Sequence, residues 1–313
     1  MALAGVFPGQ GSQSLGMLAS LADGYAEIRD TFQEASDVLN SDLWSLAQNG
    51  PEAELHLTEN TQPIMLAAGV AVWRLWQARG GCTPTLLAGH SLGEYSALVA
   101  AGALRFDAAV ELVRERARLM QSAVSEGQGA MAAILGLSDE AVSEVCDRAA
   151  QGQIVAPVNF NAPGQVVIAG EAEAVARATA LASEAGAKRS VRLDVSVPSH
   201  CQLMRPASEA LGARLAAARV ATPRIPVVHN VDAQTHEAPE GVRQALTGQV
   251  DHPVRWVDSV RYMIGEGVTT VVELGPGKVL TGLSKRIERS LTALCVQDPE
   301  SLDQALALCE EAD

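Results

Sequence analysis

The stretch Gly89-His90-Ser91-Leu92-Gly93 decides the fold of this chain. It reads G-x-S-x-G. Before it, Thr85-Leu86-Leu87-Ala88 is short and apolar. After it, Glu94 to Ala101 has helical spacing, and Gly102 is a stop signal. Strand, sharp turn and helix in that order are the context of a nucleophile elbow on an α/β sheet. The turn is strained, so its flanking residues must be small. The Ser91 hydroxyl then stands at a helix N-terminus, where free backbone N–H groups favour a developing negative charge. The pentapeptide alone also suits an ordinary turn; the attached strand and helix carry the nucleophile reading.

Upstream, Leu3 to Phe7 reads as a first strand that runs into the loop Pro8-Gly9-Gln10-Gly11-Ser12-Gln13. Gly9 and Gly11 let the main chain approach a ligand closely. No Walker pattern is present, so this is not a phosphate loop. Residues 17 to 80 read as mostly helical, with Thr61-Gln62-Pro63 opening an apolar helix from Ile64 to Arg79. Downstream of the elbow, Asp107 is a plausible N-cap for a helix from Ala108 to Val124. At 100° per residue, Leu119, Leu112, Met120, Val113, Ala117 and Val110 form one apolar arc with Arg116 in its middle. Arg114 and Arg118 fall on the opposite face, where Glu111 and Glu115 can pair with them. An arginine on a buried face needs an anion. Arg116 therefore reads either as half of a structural ion pair or as a clamp for a ligand carboxylate.

From Gly127 the pattern becomes β-α-β-β-α-β, ending in a strand over Ser190 to Val197, a ferredoxin-like unit. Strand-and-helix units resume after it. The expected architecture is an α/β-hydrolase-like large subdomain, residues 1–126 and 197–313, with a ferredoxin-like small subdomain inserted at 127–196. Gly275-Pro276-Gly277 near the end reads as a packing turn.

Composition bounds the function. The chain has 313 residues, 48% hydrophobic and 19% charged, which is globular and long enough for a sizeable core. A net charge of −14 argues against nucleic-acid binding. No apolar run approaches the ~20 residues of a membrane span. The five cysteines are dispersed and lack metal spacing, so they read as reduced thiols of a cytoplasmic protein.

A serine nucleophile needs a base. His56 and His236 sit in polar loops, His90 should point away from its neighbour Ser91, and His252 precedes Pro253. His200, at a strand end, is favoured, with His229 as runner-up. Cys201 reads as packing. No convincing acid accompanies them; Asp194 could face either side of its strand. The third member of the site is then a backbone carbonyl.

Together these residues resemble the malonyl-CoA:acyl carrier protein transacylases of fatty acid synthesis and the related acyltransferase domains of polyketide synthases. The resemblance is carried, in order, by PGQGSQ at 8–13, GHSLGE at 89–94, Arg116 within RERARLMQ, VNFNAPGQVVIAG at 158–170, VPSHC at 197–201, PVRW at 253–256 and ELGPGKVL at 273–280. It implies Ser91 as nucleophile and His200 as its base. It further implies the Gln249 carbonyl as the group orienting His200, and the N–H groups of Gln10 and Leu92 as the oxyanion hole. Arg116 becomes the holder of the malonyl carboxylate. Malonyl-CoA, a coenzyme A thioester, is the implied donor and the phosphopantetheine thiol of acyl carrier protein the acceptor, with no metal or redox cofactor bound.

Carrier proteins of this kind are acidic, so docking calls for a local basic patch. Lys188, Arg189 and Arg192, or Lys285, Arg286 and Arg289, are the candidates, and either group also suits an ordinary solvated face. Competing expectations are a polyketide-type acyltransferase with another extender and a serine esterase or thioesterase. VPSH looks more like the stand-alone fatty acid enzymes, and an esterase has no use for Arg116 on a buried face.

Overall fold

The computed structural model describes residues 2–195 and 197–310. Its strands are β1 (Leu3–Phe7), β2 (Leu86–Gly89), β3 (Gly129–Leu135), β4 (Val155–Ala162), β5 (Gln165–Glu171), β6 (Arg189–Arg192), β7 (Val227–Val228), β8 (Thr270–Leu274) and β9 (Thr292–Val296). Five of them form one parallel sheet in the order β7-β2-β1-β8-β9. Alternation along these strands fills two cores. Leu3, Phe7, Leu87, Val227, Val272 and Leu274 enter one, and Ala4, Val6, Leu86, Ala88, Val228 and Val271 enter the other. A parallel sheet buried on both faces explains why its strands are mostly apolar.

The other four strands form an antiparallel sheet, β4-β5-β3-β6. All come from residues 129–192, in the element order β-α-β-β-α-β. The helices Asp139–Ala150 and Ala172–Glu184 close its core. Ser138 caps the first of them, accepting a hydrogen bond from the Ala141 N–H at 3.2 Å. Main-chain bonds tie β4 to the segment that leads into the helix Trp256–Gly265: Phe160 N–H to Val254 O at 3.0 Å and Val254 N–H to Val158 O at 2.8 Å.

Several expectations need correction. The apolar helix begins at Thr58, so Pro63 lies inside it. Proline cannot donate to the carbonyl four residues back, which is that of Glu59. Arg114 fills the gap: its Nη1 donates to Glu59 O at 2.7 Å and to Asn60 Oδ1 at 3.1 Å. The surface pairing expected of Arg114 is therefore replaced by this contact, and Glu115 pairs instead with Arg214 at 3.1 Å. Asp107 lies within the first turn of its helix, Phe106–Ala123, whose N-cap is Arg105. Strand β6 stops at Arg192. Of the longer strand expected there, Ser196 lies outside the described residues, and His200 sits in a turn with φ 66°, not at a strand end.

The cysteine reading also changes. Cys82, just before β2, and Cys309, in the final helix Pro299–Glu310, are joined as a disulfide with their Cα atoms 5.4 Å apart. Their 227-residue separation in sequence carries no hint of this proximity, which the fold creates. Cys146, Cys201 and Cys295 are free thiols. β9 and the final helix are additions to the elements read from the sequence.

Candidate active site

The parallel register of the central strands sets the site. Phe7 at the end of β1 pairs with Gly89 at the end of β2, so the loops that follow them lie side by side. Gln10 and Leu92 each stand three residues beyond that pair. Approach is close enough to demand glycine. A Cβ on Gly9 would strike the His90 carbonyl, one on Gly93 the Phe7 carbonyl, and one on Gly89 the Gly93 backbone. Ser91 itself is left-handed, φ 52°, the strained geometry that points its hydroxyl out of the turn. The elbow helix Gly93–Ala100 starts immediately after.

His200 reaches this hydroxyl. Ser91 Oγ and His200 Nε2 are 2.7 Å apart, and His200 Nδ1 is 2.7 Å from the main-chain oxygen of Gln249. A carbonyl only accepts, so Nδ1 carries the proton and Nε2 is free to receive the one from Ser91. Burial first, and then the neighbouring Arg116 charge, push the His200 pKa down to about 3. The ring is therefore neutral at physiological pH. His200 is fixed from its other side by its own N–H, which donates to Val250 O at 3.1 Å.

Arg116, 1% exposed, enters from the helix Phe106–Ala123. Nη2 lies 3.3 Å from Ser91 Oγ and donates to Gln249 Oε1 at 2.9 Å, while Nη1 donates to Gln62 Oε1 at 2.8 Å. The buried Nε has no hydrogen-bond partner. Among the described residues no carboxylate stands within ion-pair distance of the guanidinium. Its cation faces the Tyr95 ring at 5.6 Å. The structure thus places beside Ser91 a desolvated positive charge hydrogen-bonded only to neutral groups.

The remaining histidines separate cleanly. His90 turns from the elbow to Asn161 of β4, Nε2 to Oδ1 at 2.8 Å, and so links the two sheets. His229 is fully buried with Nδ1 2.8 Å from Glu94 Oε1, so the runner-up base does not reach Ser91. His56 meets Gln13, His236 meets Asp232 and His252 meets Asp251. Asp194 lines a separate cleft of about 860 Å³ together with Arg192, Glu52 and Glu59. Cys201 donates its thiol to Pro198 O at 3.1 Å, and burial pushes its pKa up to about 11, so it stays protonated packing.

Gln10 points its side-chain amide toward Thr58 Oγ1 at 3.4 Å. Among the described residues no group of three or more His, Cys, Asp or Glu side chains could hold a metal ion. None of the helices there is long and apolar enough to cross a membrane.

The sequence reading missed the polar layer beneath Ser91. Asn230 accepts from the Ser91 N–H at 2.6 Å through Oδ1 and donates to Gly89 O at 2.7 Å. Glu94, fully buried, lies behind it. The signal available was Glu94 itself, the one charged residue in the elbow helix Gly93–Ala100.

Residues 5–301 match the family model described as the acyl transferase domain. The malonyl CoA-acyl carrier protein transacylase of Escherichia coli K12 is 54% identical over 303 residues, covering 97% of this chain and 98% of its own. That of Bacillus subtilis is 45% identical over 310 residues, covering 99% and 98%. Among solved structures, a malonyl-transacylase in complex with a type II PKS acyl-carrier protein superposes with TM-score 0.97 at 55% identity, covering 98% of this chain and all of that one. The acyl carrier protein S-malonyltransferase of Vibrio cholerae gives TM-score 0.94 at 55% identity, covering 97% and 99%. The chain belongs to the acyl transferase domain family and, within it, to the malonyl CoA-acyl carrier protein transacylases.

Proposed function

We propose that this chain transfers a malonyl group from malonyl-CoA to the phosphopantetheine thiol of an acyl carrier protein, through an ester on Ser91. The observation that carries the reading is Arg116: a buried guanidinium 3.3 Å from Ser91 Oγ, with only neutral hydrogen-bond partners. Such a charge is suited to an acyl group that brings its own carboxylate. The names of the full-length relatives point to the same substrate pair.

The chemistry follows from the positions. His200 Nε2 takes the Ser91 proton as Oγ attacks the thioester carbonyl. The N–H groups of Gln10 and Leu92 receive the resulting oxyanion. The carbon–sulfur bond then breaks, and His200 returns its proton to the coenzyme A thiolate. In the second half the carrier thiol gives its proton to His200 and attacks the ester. Ser91 leaves with that proton, and the malonyl thioester departs. The Gln249 carbonyl keeps the His200 ring in the working tautomer throughout, in place of a carboxylate.

The chain organisation fits an α/β-hydrolase-like large subdomain, residues 1–126 and 197–313, carrying a ferredoxin-like insert at 127–196. The strand order β4-β5-β3-β6 supports the second term. For docking, Lys188, Arg189 and Arg192 are exposed, but Arg192 shares its cleft with Glu52, Glu59, Glu126 and Asp194. Lys285, Arg286 and Arg289 are exposed with one acid, Glu288, in the same stretch, and we favour them as the carrier patch. Charge reversal at Lys285 and Arg289 should then raise the KM for carrier while leaving that for malonyl-CoA unchanged.

The decisive experiment is intact-protein mass measurement. Malonyl-CoA should add one malonyl group, absent in Ser91→Ala, that moves to holo carrier protein on its addition. Release to free malonate in preference to transfer would favour a hydrolase instead.

A further inference from the structure

The fully buried Glu94 carboxylate is not used in the transfer chemistry. It accepts three hydrogen bonds: from His229 Nδ1 at 2.8 Å, the Asn230 N–H at 2.9 Å, and Gln249 Nε2 at 2.8 Å. We propose that Glu94 is a positioning residue for acyl-group selection, aligning the Gln249 carboxamide so that its oxygen faces Arg116.

Gln249 is fully buried and its amide is fully engaged. Its Nε2 donates to Ser91 O at 2.9 Å and to Glu94 Oε2 at 2.8 Å, and its Oε1 accepts from Arg116 Nη2 at 2.9 Å. A carboxylate and a carbonyl only accept, and a guanidinium only donates, so a single orientation of the amide satisfies all three. Reversed, the amide would turn its N–H₂ on the guanidinium and its oxygen on a buried anion. Among the described residues Glu94 is the only charged acceptor bonded to that amide. It also holds the backbone at residue 230, whose side chain accepts from the Ser91 N–H. One carboxylate thus registers the end of the helix Pro239–Gln249 against the elbow, and Arg116 against both.

Glu94→Gln tests this with no change of shape. The variant side chain has one acceptor oxygen where three donors converge, so its N–H₂ either opposes one of them or forces His229 to move its proton from Nδ1 to Nε2. The Gln249 amide keeps the Ser91 carbonyl as acceptor but loses the charged one, so its orientation is held less firmly and with it the partner of Arg116. The inference depends on Arg116 receiving the acyl carboxylate, so Arg116→Ala is measured alongside. The readout is competition between malonyl-CoA and acetyl-CoA, scored by mass as the ratio of malonyl to acetyl ester on Ser91. Both donors compete for the same molecules, so the ratio is independent of how much of a variant is folded.

We expect Glu94→Gln to lower the malonyl:acetyl ratio about tenfold or more, the worth of one hydrogen bond to a charged group. Glu94→Asp, which keeps the charge, should fall between it and the unmodified protein. An unchanged ratio would make Glu94 a purely structural residue. A raised ratio would mean that its charge merely repels the malonyl carboxylate; either result overturns the inference. If Arg116→Ala lowers the ratio and Glu94→Gln does not, this inference fails alone. If Arg116→Ala leaves it unchanged, the carboxylate reading of Arg116 has failed.

Discussion

Arg116 and His200 converge on one atom. Nη2 of the arginine stands 3.3 Å from Ser91 Oγ and Nε2 of the histidine stands 2.7 Å from it. A permanent cation beside a base opposes proton abstraction, since it disfavours the imidazolium. The arrangement makes sense if the cation is neutralised by the acyl carboxylate once the ester has formed.

That relationship has a kinetic signature. In the free enzyme burial and Arg116 hold His200 at about 3. A malonyl ester with its carboxylate on Arg116 removes part of the second cause and raises the pKa. In ping-pong kinetics kcat/KM for malonyl-CoA reports the free enzyme, and kcat/KM for carrier reports the acyl-enzyme. The acid limb for carrier is therefore expected at higher pH than that for malonyl-CoA. Coincident limbs in the two profiles would contradict the neutralisation.

The same shift affects stability. Between about 3 and the usual value of 6.5, His200 binds a proton in the unfolded chain but not in the folded one. Its contribution is fully present above 6.5 and is lost as pH falls through that window, by at most about 1.4 kcal/mol per pH unit. Urea unfolding of His200→Gln should show a shallower loss of stability across this range than the unmodified protein. An identical slope would mean that His200 is not buried in its neutral form.

Gly9 tests the proposed oxyanion hole. A Cβ there meets the His90 carbonyl, a backbone atom that cannot swing aside. Gly9→Ala should push the Gln10 N–H away from the elbow and lower kcat by about 100-fold, the scale for one oxyanion donor. The Ser91–His200 pair should persist, so a small serine-directed fluorophosphonate should still label the protein. Full kcat in the variant would remove Gln10 from the mechanism.

Arg114 supplies the donor that Pro63 lacks. Arg114→Ala should cost about 1–2 kcal/mol by leaving the Glu59 carbonyl unpaired. The expected result is a lower urea midpoint with unchanged slope. No shift would mean that water replaces the guanidinium at no cost.

What was legible in the sequence follows from which forces are local. The elbow is readable because a strained turn demands Gly89 and Gly93 on either side of Ser91. Arg116 is readable because helical period alone places it on the buried arc. The β-α-β-β-α-β order is readable from alternating patterns, although the end of β6 is not. The Cys82–Cys309 bridge, the Arg114 contact and the Glu94–Gln249 layer were hidden because each joins segments far apart in the chain. The role of Gln249 came through resemblance, since nothing in a helix-end glutamine announces that its main-chain oxygen will meet a histidine.

The central claim is that the buried charge of Arg116 selects an acyl group with a free carboxylate. Its most direct test is the rate of Ser91 acylation by malonyl-CoA and by acetyl-CoA, measured separately for the unmodified protein and for Arg116→Ala. We predict at least about a 30-fold loss with malonyl-CoA, the cost of truncating a buried charge pair, and no more than about a threefold loss with acetyl-CoA, less than one neutral hydrogen bond. Equal losses with the two donors would contradict the account and leave Arg116 as a structural cation.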